Sequence, residues 1–414
     1  MYEPARYVPF RTAASFLSPA VDTSDALDAS DVVKSVVTRG AGDEDGRLQR
    51  KRPAPGYALC RPRRVALTTF GTVTPRRPTI ISVAERAGVS KSLVSLVMRG
   101  ATNVSDESRR AVLQAAEDLG YRPNLAARNL AERRTRTVGV LVSDLHNPFF
   151  AVIVDAMQSA VREQGLRILI GSGRRDSTEE AEVVESFLQQ DVEGLVLLSP
   201  VVSRDDLARA AQSVPTVVVG TTDIRVPHCD VIINDDRLAG ELVIQHLLER
   251  GHSRIAYIDA PSGPGASDRR AGYLAAMGRH GLEPAIASGD FTEEGGYRGG
   301  REVLAQPELA TAIFACNDVA AIGAMTALEE EGISVPEDVS LVGYDNTSLA
   351  AMRHIALTTV DQPRQAMGEL AVGLLQRRRD RPTTPGRVRL VEPHLVERGT
   401  TARPSPRPAS ARVA

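Results

Sequence analysis

The chain has 414 residues, 42% hydrophobic and 4% aromatic, with no Trp and a formal net charge of −2. That length gives a substantial core and room for two or three domains, and no apolar run approaches the roughly 20 residues of a membrane span. No leader-like apolar stretch opens the sequence, and Cys60, Cys229 and Cys316 are too scattered for a disulfide framework or zinc cluster, so the expectation is a cytoplasmic bacterial protein without a metal or cofactor. The charge is divided unevenly: 13 Lys/Arg against 8 Asp/Glu over 1–78, 10 against 6 over 79–136, and 27 against 38 over 137–414. A basic front and an acidic body suit phosphate contact at one end only.

Residues 1–77 mix Pro, Gly, Ala, Ser, Asp and Arg without sustained periodicity. They read either as an unfolded basic arm or as sequence upstream of a true start near Val73. From Thr79 the pattern sharpens. Val83, Ala84 and Ala87 share one helical face, and Gly88 sits where the chain turns. Ser90 is an N-cap for a second helix in which Val94 and Val97 point inward. Lys91, Ser92, Ser95, Leu96 and Arg99 are expected on its outer side, where a helix-turn-helix reads base edges in the major groove. Lys91 is the last of only three lysines in the chain. A third helix comes next, capped by Ser105, with Val112, Leu113, Ala116 and Leu119 as its apolar stripe. Pro123 interrupts the chain, and 124–131 is helix-prone but about two turns long, too short to be stable alone.

From Thr137 onward, short apolar runs alternate with helical segments. The runs are 138–142, 167–170, 194–198, 216–219, 254–258, 312–315 and 340–342. Repeated βαβ units imply parallel sheets with right-handed crossovers, and ligands bind beyond the carboxyl ends of such strands. Most candidate ligand groups come just after strands: they are the faces of Phe149, Phe150 and Phe291, the acceptors of Asp318 and Asp345, the fork of Arg269, and the amides of Asn147 and Asn317. Either Phe149 or Phe150 is expected in the core, and Asp176 is a weaker candidate. His246 and His252 have no acidic or Cys partner at metal-ligand spacing. No G-x-S-x-G elbow, P-loop, H-E-x-x-H or post-strand G-x-G-x-x-G points to an enzyme.

The stretches T-I-I-S-V-A-E-R-A-G-V-S, V-S-D-E-S-R-R and G-Y-R-P-N-L-A-A-R-N-L resemble the start of a lactose-repressor (LacI/GalR) family transcription factor. The resemblance continues through Asn147-Pro-Phe-Phe, His246 to His252, Arg269 to Tyr273, Gly289-Asp-Phe, Asn317-Asp318, Gly343-Tyr-Asp and Thr358 to Pro363. It implies an all-α helix-turn-helix domain over 78–123 and a hinge helix and linker over 124–136. A two-lobed periplasmic-binding-protein-like core with parallel sheets would occupy 137–401, before a Pro- and Arg-rich tail over 402–414. By position, Thr79, Asn124 and Arg128 join the DNA contacts, and Leu130 is the wedge that opens the central base step in the minor groove. The implied partners are a near-palindromic double-stranded operator, a second copy of the chain and a small effector, with no membrane. Leu96 stands where several members carry a base-contacting Arg or His, so operator preference there does not transfer. Purine-responsive relatives use a Trp in the pocket. The corresponding Val219-Gly-Thr-Thr has none, which favours a sugar or sugar derivative.

Overall fold

The computed structural model describes residues 78–122, 129, 134–221, 225–261, 263 and 265–405. The extension over 1–77 and the expected contacts Asn124, Arg128 and Leu130 lie outside the described residues.

Three helices come first: α1 (Ile80–Ala87), α2 (Lys91–Met98) and α3 (Asp106–Asp118). Each opens on a hydroxyl cap. Thr79 and Ser82 form a capping box, Ser90 accepts from the Leu93 N–H at 3.2 Å, and Ser105 accepts from Ser108. Gly88 takes φ +66° between α1 and α2, which lets the Val89 N–H close on the Ala84 carbonyl at 3.0 Å. Val83, Val94 and Val112 are fully buried at the meeting point of the helices. Each contributes at least about 1.5 kcal/mol, which matters in a domain of this size. The stripe on α3 is corrected in one position. Leu113 is 50% exposed and Ala115 takes the inward place, because a 100° step carries residue 113 off the face shared by 112, 115 and 116.

The rest of the described chain builds two six-stranded sheets. The first contains β1 (Thr137–Val142), β2 (Arg167–Ser172), β3 (Gly194–Leu198), β4 (Thr216–Val219), β5 (Cys229–Asn234) and β11 (Val388–Val391), in the order β11-β5-β4-β3-β1-β2. The second contains β6 (Ile255–Asp259), β7 (Ala285–Ser288), β8 (Ala312–Ala315), β9 (Ser340–Tyr344), β10 (Thr358–Asp361) and β12 (His394–Val396), in the order β12-β10-β9-β8-β6-β7. All pairs are parallel except β10 with β12. Fully buried runs such as β3 and β9 need cover on both faces, and the helices provide it. Among them, α4 (Pro148–Glu163), α5 (Ser177–Gln189), α6 (Arg204–Ser213) and α11 (Arg364–Asp380) pack against the first sheet. The helices α7 (Asp236–Glu249), α8 (Ala266–Arg279), α9 (Glu293–Leu304) and α10 (Asp318–Glu330) belong to the second lobe.

Because β11 returns to the first sheet and β12 to the second, the chain passes between lobes near 234–236, 361–364 and 391–394. Two passages are tied directly: the Asp235 N–H donates to the Val391 carbonyl at 3.0 Å. In each sheet the strand order reverses beside its first strand, at β1 and at β6. That reversal opens a crevice at the carboxyl ends, and residues after strands of both sheets line one shared cleft. The tail begins later than the sequence suggests. The Ala402 N–H bonds Ser340 and the Ala402 carbonyl accepts from His252, so the chain is held to the second lobe past residue 401. The same contacts give His252 a structural place, while His246 bonds Thr401 and Arg250.

Candidate functional site

On the helix-turn-helix, Lys91 and Ser92 are exposed on α2, Arg99 is exposed at its C-cap, and Ser95 is half-buried. The Arg99 Nε–H donates to the Ser95 carbonyl at 3.2 Å, which folds the guanidinium along its own helix. Thr79 and Ser90 are exposed but are engaged as caps, so they order the helix starts and present backbone N–H groups there. Leu96 departs from the expectation. It is half-buried and packed on the three-helix core, because it lies one turn from Leu93, which is packed on the same core. Lys91 and Ser92, at the amino end of α2, are therefore the described side chains most available to a groove.

Between the lobes lies a cleft of about 550 Å³, including its mouth, within the usual size of a small-molecule site. Strand ends and the segments after them line it. Ser143, Ser199, Gly220 and Asn234 come from the first lobe, and Asp345 and Gln362 from the second. Asn147, Phe149 and Phe150 enter from the start of α4, Arg269 from α8, and Phe291 from the loop before α9. Asn147 does two things. Its Oδ1 caps α4 by accepting from the Phe149 N–H at 2.9 Å, and its Nδ2 reaches across the cleft to Asp345 at 3.4 Å. Both phenylalanines line the cleft, and both are also buried in the first lobe's core, their rings edge-to-face at 5.2 Å. The expected division between one core and one ligand-facing ring is not what the fold builds.

Arg269 is 5% exposed and stacks its guanidinium 3.4 Å from the centre of the Tyr344 ring. Its Nε and Nη2 donate to Asp236 at 3.4 and 3.2 Å, and Nη1 donates to the Cys316 carbonyl. The fork that the sequence offered to a ligand is thus largely held by protein, with one N–H left on each terminal nitrogen. Asp345 accepts from Gln362 at 2.7 Å, and burial pushes its carboxyl up to about 7 against the pull of Arg269. Phe291 is flanked by two cations, Arg175 at 5.5 Å from the ring centre and Arg269 at 5.8 Å. Gly263 lets this ring lie against the backbone: a Cβ there would come 2.0 Å from it.

Asn317 and Asp318 do not reach the cleft. Asn317 caps α10 and donates to the Phe291 carbonyl at 3.2 Å, so it holds the ring's loop from behind. Asp318 is fully buried beneath β9 and β10. Its Oδ2 accepts from the Thr347 N–H at 2.6 Å and Oγ1 at 2.9 Å, and its Oδ1 accepts from Thr359 Oγ1 at 2.6 Å. Asp176 is also a cap, bonding the Thr178 and Glu179 N–H groups at the start of α5. Ser143, Arg175, Ser199, Asn234, Asp236 and Gln362 escape a reading by residue type. Their common signal is position, at the last residue of a strand or within three residues after it.

An N-terminal helix-turn-helix joined to a two-lobed binding core defines a ligand-responsive DNA-binding regulator. Likeness to known proteins gives its family. Residues 79–124 match the description "Bacterial regulatory proteins, lacI family", and 244–401 match "Periplasmic binding protein-like domain". The HTH-type transcriptional repressor PurR of Escherichia coli O139:H28 (strain E24377A / ETEC) is 34% identical over 332 residues, 78% of this chain and 97% of that protein. The lac repressor dimer bound to operator and the anti-inducer ONPF is similar with a TM-score of 0.70 and 29% identity, covering 79% of this chain and 100% of that one. The transcriptional regulator CelR in complex with cellobiose is 34% identical with a TM-score of 0.59, covering 78% and 100%. The chain belongs to the LacI family of bacterial regulatory proteins. Among the described residues, no helix is long and apolar enough to cross a membrane.

Proposed function

We propose that this protein is a non-enzymatic repressor that binds a near-palindromic operator as a homodimer and releases or tightens its grip when a sugar or sugar derivative occupies the interlobe cleft. The observation that carries the reading is the cleft lining itself. Planar polar side chains, Asn147, Asn234, Asp345, Gln362 and Arg269, surround a small space beside aromatic faces. That pairing suits a ring whose edges carry hydroxyls and whose faces are apolar. The cellobiose complex of CelR and the operator complex of the lac repressor support it. The absence of Trp from the sequence weighs against a purine, since the aromatic lining consists of phenylalanines alone.

Two copies would place two α2 helices in successive major grooves about one turn apart. Thermal-shift titration of the purified protein with D-ribose, D-glucose, D-galactose, cellobiose and hypoxanthine tests the cleft. Gel shift on the DNA flanking its own gene, with and without the responding sugar, tests the coupling. A response to hypoxanthine alone, or to no probe, would refute the sugar reading, and retention of random duplex as tightly as flanking DNA would refute the specific one.

A further inference from the structure

Among the buried side-chain polar atoms lining the cleft, one has no hydrogen-bond partner. Asn234 ends β5 and is 6% exposed. Its Nδ2 lies 2.5 Å from Tyr344 Oη, while its Oδ1 is buried with no hydrogen-bond partner. The neighbouring bonds fix which end of the amide is left over. Tyr344 Oη has a single proton, and it donates that proton to Asp236 Oδ1. The same Asp236 oxygen accepts from Arg269, so it is an acceptor on both sides. Toward Asn234, Tyr344 Oη can therefore only accept, and only the Nδ2 end can face it. Burial raises the Tyr344 phenol well above its usual range, so its proton stays in place at any physiological pH. Flipping the amide would set two acceptors against each other. Oδ1 is locked as an unmet acceptor in the wall of the cleft, and an unmet buried acceptor is costly.

We infer that Asn234 is a specificity-determining contact of the effector: its Oδ1 accepts a hydrogen bond from one hydroxyl of the bound sugar. The inference rests on the sugar reading of the cleft. It adds that one particular hydroxyl is read by a side chain held rigid by Tyr344, Asp236 and Arg269. A ligand that offers an ether oxygen or a hydrogen at that place leaves Oδ1 unmet and is rejected, because a site built around a buried polar atom discriminates more sharply than an apolar one. Arg269, through Asp236 and Tyr344, sets the orientation without touching that hydroxyl.

The test uses the full-length protein and whichever of D-ribose, D-glucose, D-galactose or cellobiose gives a thermal shift. Calorimetric titration then compares wild type with Asn234→Leu, similar in volume but without an acceptor, and with Asn234→Ser as a smaller variant should the leucine protein fail to fold. Affinity for the parent sugar should fall about 10- to 100-fold in Asn234→Leu. The decisive readout is the set of monodeoxy analogues. Wild type should discriminate against one of them by a similar factor, and in the variant that discrimination should collapse to near unity while the others are unchanged. A merely structural role would weaken all analogues together. If Asn234→Leu binds the parent as wild type does, or if every deoxy analogue keeps its wild-type discrimination, Oδ1 is served by a fixed water and the inference fails while the cleft reading stands. If no sugar shifts the wild-type protein, the cleft reading fails and takes the inference with it.

Discussion

Replacing Asp318 with Ala strands three donors, the Thr347 N–H and the Thr347 and Thr359 hydroxyls. The N–H has no alternative, so its loss costs about 2 kcal/mol. Each hydroxyl can rotate, so about 1 kcal/mol is a fair allowance for each, giving about 4 kcal/mol in all. Against this stands the charge. Burial pushes the Asp318 carboxyl from 3.8 up to about 6, so its ionised form at neutral pH costs the fold about 3 kcal/mol relative to the protonated form. The sign is that of a raised acid: stability is fully present below the unfolded value near 3.8 and is lost as pH rises through about 6. Asp318→Ala should therefore cost about 1 kcal/mol near pH 7.5 and about 2–3 near pH 5, where the native carboxyl has regained its proton but the unfolded one has not.

Asp318→Asn mimics the protonated acid. Its Oδ1 can serve Thr347, and its Nδ2 can donate to Thr359, whose hydroxyl turns to accept. It should exceed wild type by about 1–2 kcal/mol near pH 5 and by about 2–3 near pH 7.5. Thermal melts of the three proteins at both pH values measure this, at roughly 2–4 °C per kcal/mol for a unit of this size. The reasoning fails if Asp318→Asn melts with Asp318→Ala at neutral pH, or if the alanine penalty does not grow in acid. Sugar affinity of Asp318→Asn should stay at the wild-type level. A lost response with an intact melt would return Asp318 to the cleft.

Three further outcomes are expected. Lys91→Ala should weaken operator binding: by about 1–3 kcal/mol at one base position if Lys91 reads a base, or evenly across sequences with a flatter salt slope if it meets phosphate, and unchanged binding at every salt concentration would remove it from the interface. Sugar affinity should drop as pH falls through about 7, where Asp345 gains its proton and ceases to be a full acceptor, and Asp345→Asn should flatten that profile. Glu193→Ala should leave sugar binding intact but shrink the effect of sugar on operator affinity, because Glu193 grips Arg134 at 2.8 Å and the Arg136 N–H at 2.9 Å where the DNA-binding segment enters the core. Titrating operator with and without saturating sugar reads that coupling directly.

Much of the fold is legible in the sequence because periodicity and caps are local. The α1–Gly88–α2 unit, its hydroxyl caps and the buried runs of β1, β3, β4 and β8 arise from residues within a few positions of one another. Strands β5, β7, β10, β11 and β12 do not stand out as elements: β7, β11 and β12 are short sheet edges, and the interior β5 and β10 mix Asp, Asn and Thr with their apolar residues. Val388 to Val391, for instance, is mostly exposed. Phe149, Asn147, Arg269 and Asp345 are recognisable as residue types after strand-like runs. Asn317 and Asp318 come after β8 in the same way, yet they turn away from the cleft. The difference lies in the next residues: α10 begins at once and draws its cap and first residue under the sheet, whereas Asp345 and Asn346 take positive φ and hold their loop open. Asn234 and Asp236 become visible only when β5 delivers them beside Tyr344, more than 100 positions along the chain.

The contacts that cross the cleft decide how strongly an occupant can act. Asn147 with Asp345, Asn234 with Tyr344, and Arg175 over Phe291 each join the two lobes, and each is a polar or cation–π contact of about 1 kcal/mol net. Their sum is a few kcal/mol, the same size as the binding energy a sugar gains from hydroxyl contacts with those very groups. An occupant that replaces Asn147 as a partner of Asp345, or parts Arg175 from Phe291, therefore shifts the lobe balance by its own differential affinity and by no more. Among the described linker residues, several bonds run to the first lobe: Thr135 donates to the Asp191 carbonyl, Arg134 and Arg136 meet Glu193, and the Arg167 N–H closes on the Arg136 carbonyl. A tilt of that lobe moves the start of the DNA-binding segment with it. In the proposed dimer on a near-palindromic operator, two such segments act on one site. A balance of a few kcal/mol per subunit is then enough to separate a converged pair from a splayed one, and that coupling is what Glu193→Ala is expected to loosen.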